Sequence, residues 1–303
     1  MIKIYYHHYD KSNHTIYYKL YLKLDNSMYY ILRFIAILLR LIPRRIGLQF
    51  GRLLGAVFYY LIPIRKKIAQ KNVSLAFPNL TESETKILIK NCYKHFGLVL
   101  VDFLRMPALN KKNIKKVFSF DDDSIELLKT HNGAIIMTGH IGNWEMFIPG
   151  FGLNDFQMSI VTQTQKNKSG ERFFNWIRNK ENTQLIPKKS SKEIMKQVLI
   201  ENKFLGLASD QNAGKYGMQV PFFNSNVSIP KGAGYFHIKT KKPIFIGFCI
   251  LKSNLTYELK LIKINETIIN DNKNDLIYNV NEHFSNLLEN EIKKYPEQYF
   301  WFH

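Results

Sequence analysis

The fold is decided by Gly133-Ala134-Ile135-Ile136-Met137-Thr138-Gly139-His140-Ile141-Gly142-Asn143-Trp144-Glu145. Its apolar run, residues 134–137, predicts a short buried strand, and the residues from 143 to 150 predict a helix. Between them lies a turn flanked by glycines that carries His140. In an α/β protein such a turn lies at the carboxyl edge of the sheet, where ligand sites form.

His140 is followed five residues later by Glu145, and the two form a candidate catalytic pair. An imidazole next to a carboxylate can make a hydroxyl group nucleophilic near neutral pH. Positions five apart on a regular helix point about 140° apart, so the two meet only if His140 stands in the turn and Asn143 caps the helix. We therefore expect Glu145 to fix the tautomer of His140. A purely structural turn histidine is the alternative.

The composition predicts acidic partners. The chain has 303 residues, 43 Lys and Arg against 24 Asp and Glu, and a formal net charge of +19. Such a surplus favours binding to nucleic acid, an anionic membrane face, phosphorylated lipids or an acidic carrier protein, and composition does not choose among them. With 46% apolar residues, the length suits one large domain or two small ones.

Motif searches exclude several common chemistries. The sequence contains no HExxH, paired CxxC, Walker loop or GxSxG segment. Zinc peptidases, zinc fingers, P-loop enzymes and ordinary serine hydrolases therefore lose support. We expect no metal and no cofactor. Cys92 and Cys249 have no metal-ligand neighbour at short spacing, and both are expected to be buried free thiols.

The chain divides into three parts by composition: an N-terminal extension of residues 1–27, a membrane-associating helical region of residues 28–64, and a main domain of residues 65–303. The first apolar run of the second part has about 14 residues, fewer than the roughly 20 that span hydrocarbon. Charged residues bracket both of its apolar runs. We expect helices that lie in, or tilt into, the membrane interface, with two core helices of a soluble domain as the alternative.

Two arginines mark the first of these helices. Arg33 and Arg40 are seven residues apart and therefore share a helix face. In the membrane-associated arrangement we expect such cations at the level of the lipid headgroups.

The rest of the chain predicts an α/β fold, with a central, mostly parallel sheet flanked by helices. Thr81 and Glu84 form a predicted capping box at the start of a long helix that runs toward residue 105. The predicted strands are 133–138, 158–162, 183–186, 204–208, 243–250 and 256–262. The predicted helices after residue 117 are 122–130, 143–150, 168–180, 191–201, 231–240 and 275–293.

Asp210 and Gln211 follow directly after the predicted strand 204–208. Their position repeats that of His140 after its own strand, so we expect both side chains to face the same cleft as His140. The alternative is a turn in which Asp210 satisfies only its own backbone.

Three further residues are candidates for substrate contact. Phe222 and Phe223 lie in an apolar loop that either walls an acyl-chain groove or packs in the core. Arg178 ends a predicted helix, where it either holds an anion through a bidentate contact or is a solvated surface cation.

Five ordered blocks resemble the lipid A late acyltransferases. Residues 140–145 resemble the His-x4-Glu motif of that family, and the resemblance extends over residues 28–303. The other blocks are residues 68–78, which end in Phe-Pro, residues 210–211, residues 220–223, and the terminal Pro-Glu-Gln-Tyr block of residues 295–303. The first 27 residues have no counterpart.

The resemblance implies a glycerolphosphate-acyltransferase-like fold with an N-terminal hydrophobic helix, and makes residues 65–303 the acyltransferase domain. It implies transfer of a fatty acyl group from the thioester of acidic acyl carrier protein, without a cofactor. The acceptor would be a hydroxyl of an anionic lipid, a lipid A precursor or related glycolipid, at the cytoplasmic face of the cell inner membrane. Nucleic acid would not be a partner.

The resemblance also assigns roles to single residues. His140 would be the general base and Glu145 its orienting partner. Asp210 matches a recurring site-lining aspartate, and Arg178 falls where relatives often carry a functional arginine. The remaining candidates for substrate contact are Gly142, Asn143, Gln211, Phe222 and Phe223. An oxyanion would be stabilised by backbone N–H groups around Gly142 or by residues near Asp210.

Two other classes of protein remain open. Glycerol-phosphate acyltransferases share a His-x4-acid element, but they usually carry Asp at its end and a Pro-Glu-Gly-Thr-Arg-like block that is absent from this sequence. A basic nucleic-acid-binding protein could stack bases on its aromatic residues. That reading leaves the apolar N-terminal stretches unexplained and has no recognised binding motif.

Overall fold

The computed structural model describes residues 27–265 and 273–303. At its centre lies a seven-stranded sheet in the order β1-β9-β8-β2-β5-β3-β4, in which only β8 and β9 pair antiparallel. A separate antiparallel hairpin is formed by β6 and β7. The strands are β1 (Phe118–Phe120), β2 (Ile135–Thr138), β3 (Met158–Thr162), β4 (Thr183–Pro187), β5 (Phe204–Ala208), β6 (Met218–Phe222), β7 (Ser225–Ile229), β8 (Ile244–Leu251) and β9 (Tyr257–Lys263).

Helices flank this sheet, as the sequence predicts. They are α1 (27–41), α2 (Arg44–Leu61), α3 (Lys66–Ala76), α4 (Glu82–Arg105), α5 (Asp122–Thr130), α6 (Phe147–Gly152), α7 (Lys168–Arg178), α8 (Lys192–Ile200), α9 (Gly232–Thr240) and α10 (Lys273–Lys294). The capping box of Thr81 and Glu84 is present at the start of α4. All six predicted strands are confirmed to within two residues of their ends.

The hairpin is the main departure from the predicted elements. Residues 220–224 were expected to be a loop, but residues 218–222 form β6 and only Phe223 and Asn224 make the turn to β7. Phe223 has φ of 49°, a left-handed conformation that hairpin turns usually give to Gly or Asn. Pro221 also argues against a strand, except at an edge. Because of these two features, the sequence did not predict the hairpin.

Strand β2 lies inside the sheet and is buried on both faces. Ile135 and Met137 pack into one core cluster, and Ala134 and Ile136 into another. Its neighbour β5 runs parallel to it, and the backbone N–H of Ser209 donates to the carbonyl of Thr138 over 2.8 Å. The segments after the two strands therefore leave the same edge of the sheet side by side, as predicted.

The N-terminal helices pack on this domain with apolar residues facing outward. Helix α2 approaches the backbone of α4 so closely that a Cβ on Gly55 would lie 2.1 Å from the carbonyl oxygen of Tyr93. The exposed large apolar residues of α1 are Met28, Tyr30, Ile31, Phe34, Ile35, Ile37, Leu38 and Leu41, and those of α2 are Ile46, Phe50, Leu53, Val57, Tyr60 and Leu61. We call these residues the apolar outer surface.

In the described part of the chain, no helix taken singly has both the length and the apolar character of a membrane span. Helices α2 and α3 meet those criteria only together, and they are bent by 98°. Arg33 and Arg40 do share a helix face, as predicted, but that face points toward Trp176 of α7 and not outward. The predicted extension, except for residue 27, lies outside the described residues.

Candidate active site

The centre of the site is a pair formed by His140 and Asp210. The Nδ1 atom of His140 lies 2.6 Å from Oδ1 of Asp210, and the backbone N–H of His140 donates to Oδ2 over 2.7 Å. The Asp210 carboxylate is almost fully buried, with 1% of its side chain exposed. A carboxylate can only accept, so Nδ1 carries the proton and Nε2 of the neutral ring keeps its lone pair. Asp210 therefore fixes the tautomer that a general base needs.

Each member of the pair shifts the pKa of the other. Burial alone lowers the pKa of His140, but the charge and hydrogen bond of Asp210, with a contribution from the charge of Glu145, raise it above its usual value. Burial raises the pKa of Asp210, and the charge and hydrogen bonds of His140 outweigh this and lower it. Burial, followed by the charge of Asp210, raises the pKa of the Tyr299 hydroxyl well above its usual value. Asp210 thus stays ionised beside a strengthened base.

Glu145 does not orient His140. Its two carboxylate oxygens accept hydrogen bonds from Nε and Nη2 of Arg178 over 2.9 and 2.6 Å. The forked guanidinium matches a carboxylate better than an imidazole does, and the ring of Trp144, 4.7 Å from that of His140, occupies the side of the turn that Glu145 was expected to fill. The prediction that Glu145 fixes the tautomer is wrong, because Asp210 does so.

Arg178 is not a solvated surface cation either. Only 13% of its side chain is exposed. Its guanidinium lies 4.9 Å from the ring centre of Phe174 and 5.7 Å from that of Phe103, in addition to its bidentate contact with Glu145. The bidentate contact predicted for Arg178 exists, but its anion belongs to the protein.

Gly142 and Asn143 hold the turn. The N–H of Gly142 donates to Gln298 and that of Asn143 to Cys249, each over 2.9 Å. Gly142 has φ of 62°, and a Cβ there would lie 1.9 Å from the carbonyl oxygen of Cys249. Asn143 is fully buried and its side chain makes no capping bond. The predicted helix cap by Asn143 is therefore wrong, and the N–H groups of these two residues are not free to stabilise an oxyanion, since both are engaged inside the protein. Substrate contact by Gly142 and Asn143 stays a prediction.

Aromatic rings enclose the catalytic imidazole. Besides Trp144, the rings of Phe300 and His303 lie 6.4 and 5.8 Å from the ring of His140. The backbone N–H of Phe300 donates to the carbonyl of His140 over 2.9 Å. Reasoning from the sequence did not assign these residues or Tyr299 to the site. Their only signal was the terminal block, which gives no distance to residue 140.

A cavity of about 550 Å³ opens beside the pair. Asp210 and His303 lie at its lining, and Phe222 and Phe223 form part of its wall, as predicted for those two rings. Gln211 lies next to His140, with its carboxamide nitrogen 3.4 Å from Nε2. The structure thus brings together five of the predicted site residues: His140 contacts Asp210 and Gln211, and Phe222 and Phe223 line the cavity that Asp210 also lines.

Within residues 27–265 and 273–303, there is no cluster of three His, Cys, Asp or Glu that could hold a metal ion. Both cysteines are buried free thiols, as predicted, and burial raises the pKa of Cys92 and Cys249 well above the usual value.

Comparison with known proteins agrees with this arrangement. The profile of the family described as bacterial lipid A biosynthesis acyltransferase matches residues 16–303. The chain is 23% identical over 262 residues to a lipid A biosynthesis palmitoleoyltransferase of Escherichia coli (strain K12), covering 84% of this chain and 82% of the relative. A lipid A biosynthesis acyltransferase of Shigella flexneri matches to the same extent.

A third relative carries a different name. It is a phosphatidylinositol mannoside acyltransferase of Mycolicibacterium smegmatis (strain ATCC 700084 / mc(2)155), 24% identical over 151 residues, which are 48% of this chain and 50% of the relative. The family match covers nearly the whole chain, and the site holds a histidine base with its carboxylate beside a cavity. This chain belongs to the bacterial lipid A biosynthesis acyltransferase family and is an acyltransferase.

Proposed function

We propose that the protein transfers a fatty acyl group from the thioester of acyl carrier protein to a hydroxyl of a lipid A precursor or a related glycolipid. The observation that carries this proposal is the pair of His140 and Asp210: Asp210 holds Nδ1 of the imidazole, which leaves Nε2 as the base, and Asp210 itself lines the cavity. The named activities of the two lipid A relatives support the choice of acceptor.

The reaction proceeds by direct transfer. Nε2 of His140 takes the proton of the acceptor hydroxyl while its oxygen attacks the thioester carbonyl. The tetrahedral intermediate then collapses, the C–S bond breaks, and the protonated imidazole returns its proton to the leaving thiolate. An ester and a free carrier thiol result. Asp210 stabilises the imidazolium that exists between the two proton transfers.

The oxyanion of this intermediate needs a donor other than Gly142 and Asn143, whose N–H groups are engaged. Gln211 is the nearest candidate, because its carboxamide nitrogen lies 3.4 Å from the atom that receives the proton. We assign the stabilising hydrogen bond to Gln211. Phe222 and Phe223 then form the wall along which the acyl chain lies.

The partners follow from charge and surface. A net charge of +19 favours an acidic carrier protein and an anionic acceptor. The apolar outer surface is far larger than a soluble monomer usually exposes, so we place it in the membrane interface, at the cytoplasmic face of the inner membrane. Arg65, Lys66 and Lys67 follow α2 and would meet anionic headgroups there.

A transfer assay tests the proposal. Purified protein in detergent is given radiolabelled acyl carrier protein thioester and one of three acceptors: an under-acylated lipid A precursor, a phosphatidylinositol mannoside, or glycerol 3-phosphate. Transfer to the first supports the proposal as stated, and transfer to the second supports the related-glycolipid form that the mycobacterial relative favours. Transfer to glycerol 3-phosphate alone, or no transfer, overturns it. Lipid profiling of a deletion strain then identifies the natural acceptor by its missing acyl mass.

The acidic limb of the pH–rate profile should depend on Asp210. Only neutral imidazole can act as the base, so the rate rises as pH increases through the raised pKa of His140. In Asp210→Asn the charge that raises this pKa is lost while burial, which lowers it, remains. We expect the limb of kcat/KM to move to lower pH, with a lower plateau because the tautomer is no longer fixed.

Glu145→Gln serves as the comparison, since Glu145 contributes only a minor charge effect to His140. Its limb should move less than that of Asp210→Asn. A limb that stays in place or moves to higher pH in Asp210→Asn would contradict the assignment of Asp210.

A further inference from the structure

Helix α1 is amphipathic in the opposite sense to a helix of a soluble protein. Its outward positions are apolar, for example Phe34 with 61% and Leu41 with 76% of the residue exposed. Its inward face carries Arg33 and Arg40, whose guanidinium carbons lie 5.1 and 4.8 Å from the ring centre of Trp176 on α7. A soluble helix turns its cations outward, so the inward arginines require a partner on the inside.

The described residues do not supply that partner to Arg40. Its Nε and Nη2 atoms are out of contact with solvent and have no hydrogen-bond acceptor among residues 27–265 and 273–303. Stacking on Trp176 provides packing and a cation–π contact, but no acceptor. Arg33 donates to the hydroxyl of Tyr29 over 3.2 Å. Buried donors of a charged group are costly to leave unpaired, which indicates that the cluster is completed by an acceptor beyond the described residues.

Lys180 is a third cation, close enough to Arg40 for the charge of Arg40 to affect its pKa. It follows α7 by two residues, and its Nζ donates to the carbonyl of Leu109 over 2.9 Å. Burial, followed by the charge of Arg40, lowers the pKa of Lys180 to about 8. Burial and the charge of Arg33 likewise lower the pKa of Arg40. The charge of Arg40 thus disfavours the charged form of Lys180, and the charges of Arg33 and Arg105 disfavour that of Arg40.

Neighbouring carboxylates compensate these charges only in part: the charge of Glu181 acts to raise the pKa of Lys180, but burial and the charge of Arg40 outweigh it. In the part of the chain that the structure describes, those closest in sequence or space are already engaged or point into solvent. They are Asp102, bound by Arg44 over 2.9 and 2.6 Å, Glu145, bound by Arg178, and the exposed Glu181, whose carboxylate lies 3.7 Å from Lys111. A cavity of about 510 Å³ is lined by Leu109, whose carbonyl Lys180 contacts, and by Arg105, whose charge lowers the pKa of Arg40.

We propose that Arg33, Arg40 and Lys180 bind the phosphate group of a lipid between α1 and α7. Guanidinium groups pair with phosphate oxygens through two parallel hydrogen bonds, and three cations suit a group that carries more than one negative charge. The cluster lies directly beneath the apolar outer surface, where a lipid headgroup would be presented. The proposal rests on the proposed function only in taking a lipid as the source of the phosphate.

Chemical labelling of Lys180 tests this site without any acyl transfer. The protein in uncharged detergent is treated with acetic anhydride at pH 8, and acetylation of Lys180 and of the exposed Lys188 is followed by mass spectrometry. The probes are inorganic phosphate, vesicles of phosphatidic acid, and vesicles of a phosphate-free galactolipid. At a probe concentration about ten times its dissociation constant, mass action predicts about tenfold slower labelling of Lys180. Labelling of Lys188 should not change with inorganic phosphate.

Variants separate a binding role from a packing role. Arg40→Gln should abolish the protection of Lys180, while the control Lys188→Gln should keep it. If Arg40→Gln does not fold, Arg33→Gln, which changes a half-buried arginine of the same cluster, should weaken the protection.

The outcomes are distinct. Protection by both phosphate probes supports a site for any phosphate, and protection by phosphatidic acid alone supports a headgroup presented from a bilayer. Equal protection of Lys180 by galactolipid vesicles would show that vesicles cover α1 without any contact to phosphate, and this result would overturn the proposal. So would protection by no probe, or protection that survives in both arginine variants. If the protein shows no acyl transfer but phosphate still protects Lys180, the phosphate site is supported and only the proposed function is contradicted.

Discussion

His140→Ala is expected to lower kcat about 10²–10⁴-fold, because a positioned general base typically contributes that much. The imidazole is the one group whose free nitrogen faces the acceptor in the proposed reaction, and its neighbours cannot take over its role. Asp210 is ionised but almost fully buried. The ring of His303 lies 5.8 Å from that of His140, and its own Nδ1 is bonded to the carbonyl of Phe300. The assay is acyl transfer at saturating substrate.

The fold should survive this change, since Asp210 keeps the hydrogen bond from the backbone N–H of residue 140. Far-UV circular dichroism and urea unfolding check this. His283→Gln is the matched control, because His283 lies on α10 outside the site and should keep full activity. Near-normal turnover in folded His140→Ala would remove His140 from the mechanism.

Arg178→Met is expected to destabilise the protein by about 3–5 kcal/mol, because it leaves a buried carboxylate without its partner. Only 11% of the Glu145 side chain is exposed, and Arg178 supplies two short hydrogen bonds to it. The double change Arg178→Met with Glu145→Leu removes both charges and should recover most of the loss. Urea unfolding in detergent measures both variants and, in a double-mutant cycle, their coupling.

Lys86→Met is the control for this experiment, since it breaks an exposed ion pair with Glu82 one turn away on the surface of α4. It should leave the free energy of unfolding unchanged within error. An Arg178→Met variant as stable as this control would show that the Glu145–Arg178 pair is not buried in solution. A double variant no more stable than the single one would show that the loss comes from packing.

The α/β fold was predictable because most of its strands can be recognised from their local sequence. β2 and β5 are short apolar runs that end at polar turns, and the parallel pairing of two such strands alone brings the segments after them to one edge. That rule correctly placed Asp210 and Gln211 in the cleft of His140. Strands β6 and β7 escaped prediction because β6 contains Pro221 and the turn between them has Phe223 at positive φ, so the local chemistry contradicts the tertiary setting. Strand β1 escaped because it is only three residues long.

The partners of the charged groups were not predictable. Glu145 is closer to His140 in sequence than Asp210 is, yet Asp210 binds the imidazole and Glu145 binds Arg178. Spacing along the chain fixes directions only within one helix or strand, whereas this choice depends on how α7 packs against the turn. The same limit applies to Tyr299, because nothing in the local sequence reveals a contact across the sheet edge.

The catalytic turn is closed by residues that are synthesised about 160 positions later. The N–H of Gly142 finds its acceptor on Gln298, and the carbonyl of His140 finds its donor on Phe300. During translation the turn must therefore wait, with these backbone groups hydrated, until the ribosome has made both residues. The nascent chain can build its central strands earlier, but the turn that carries His140 can take this conformation only after residues 298 and 300 have been made.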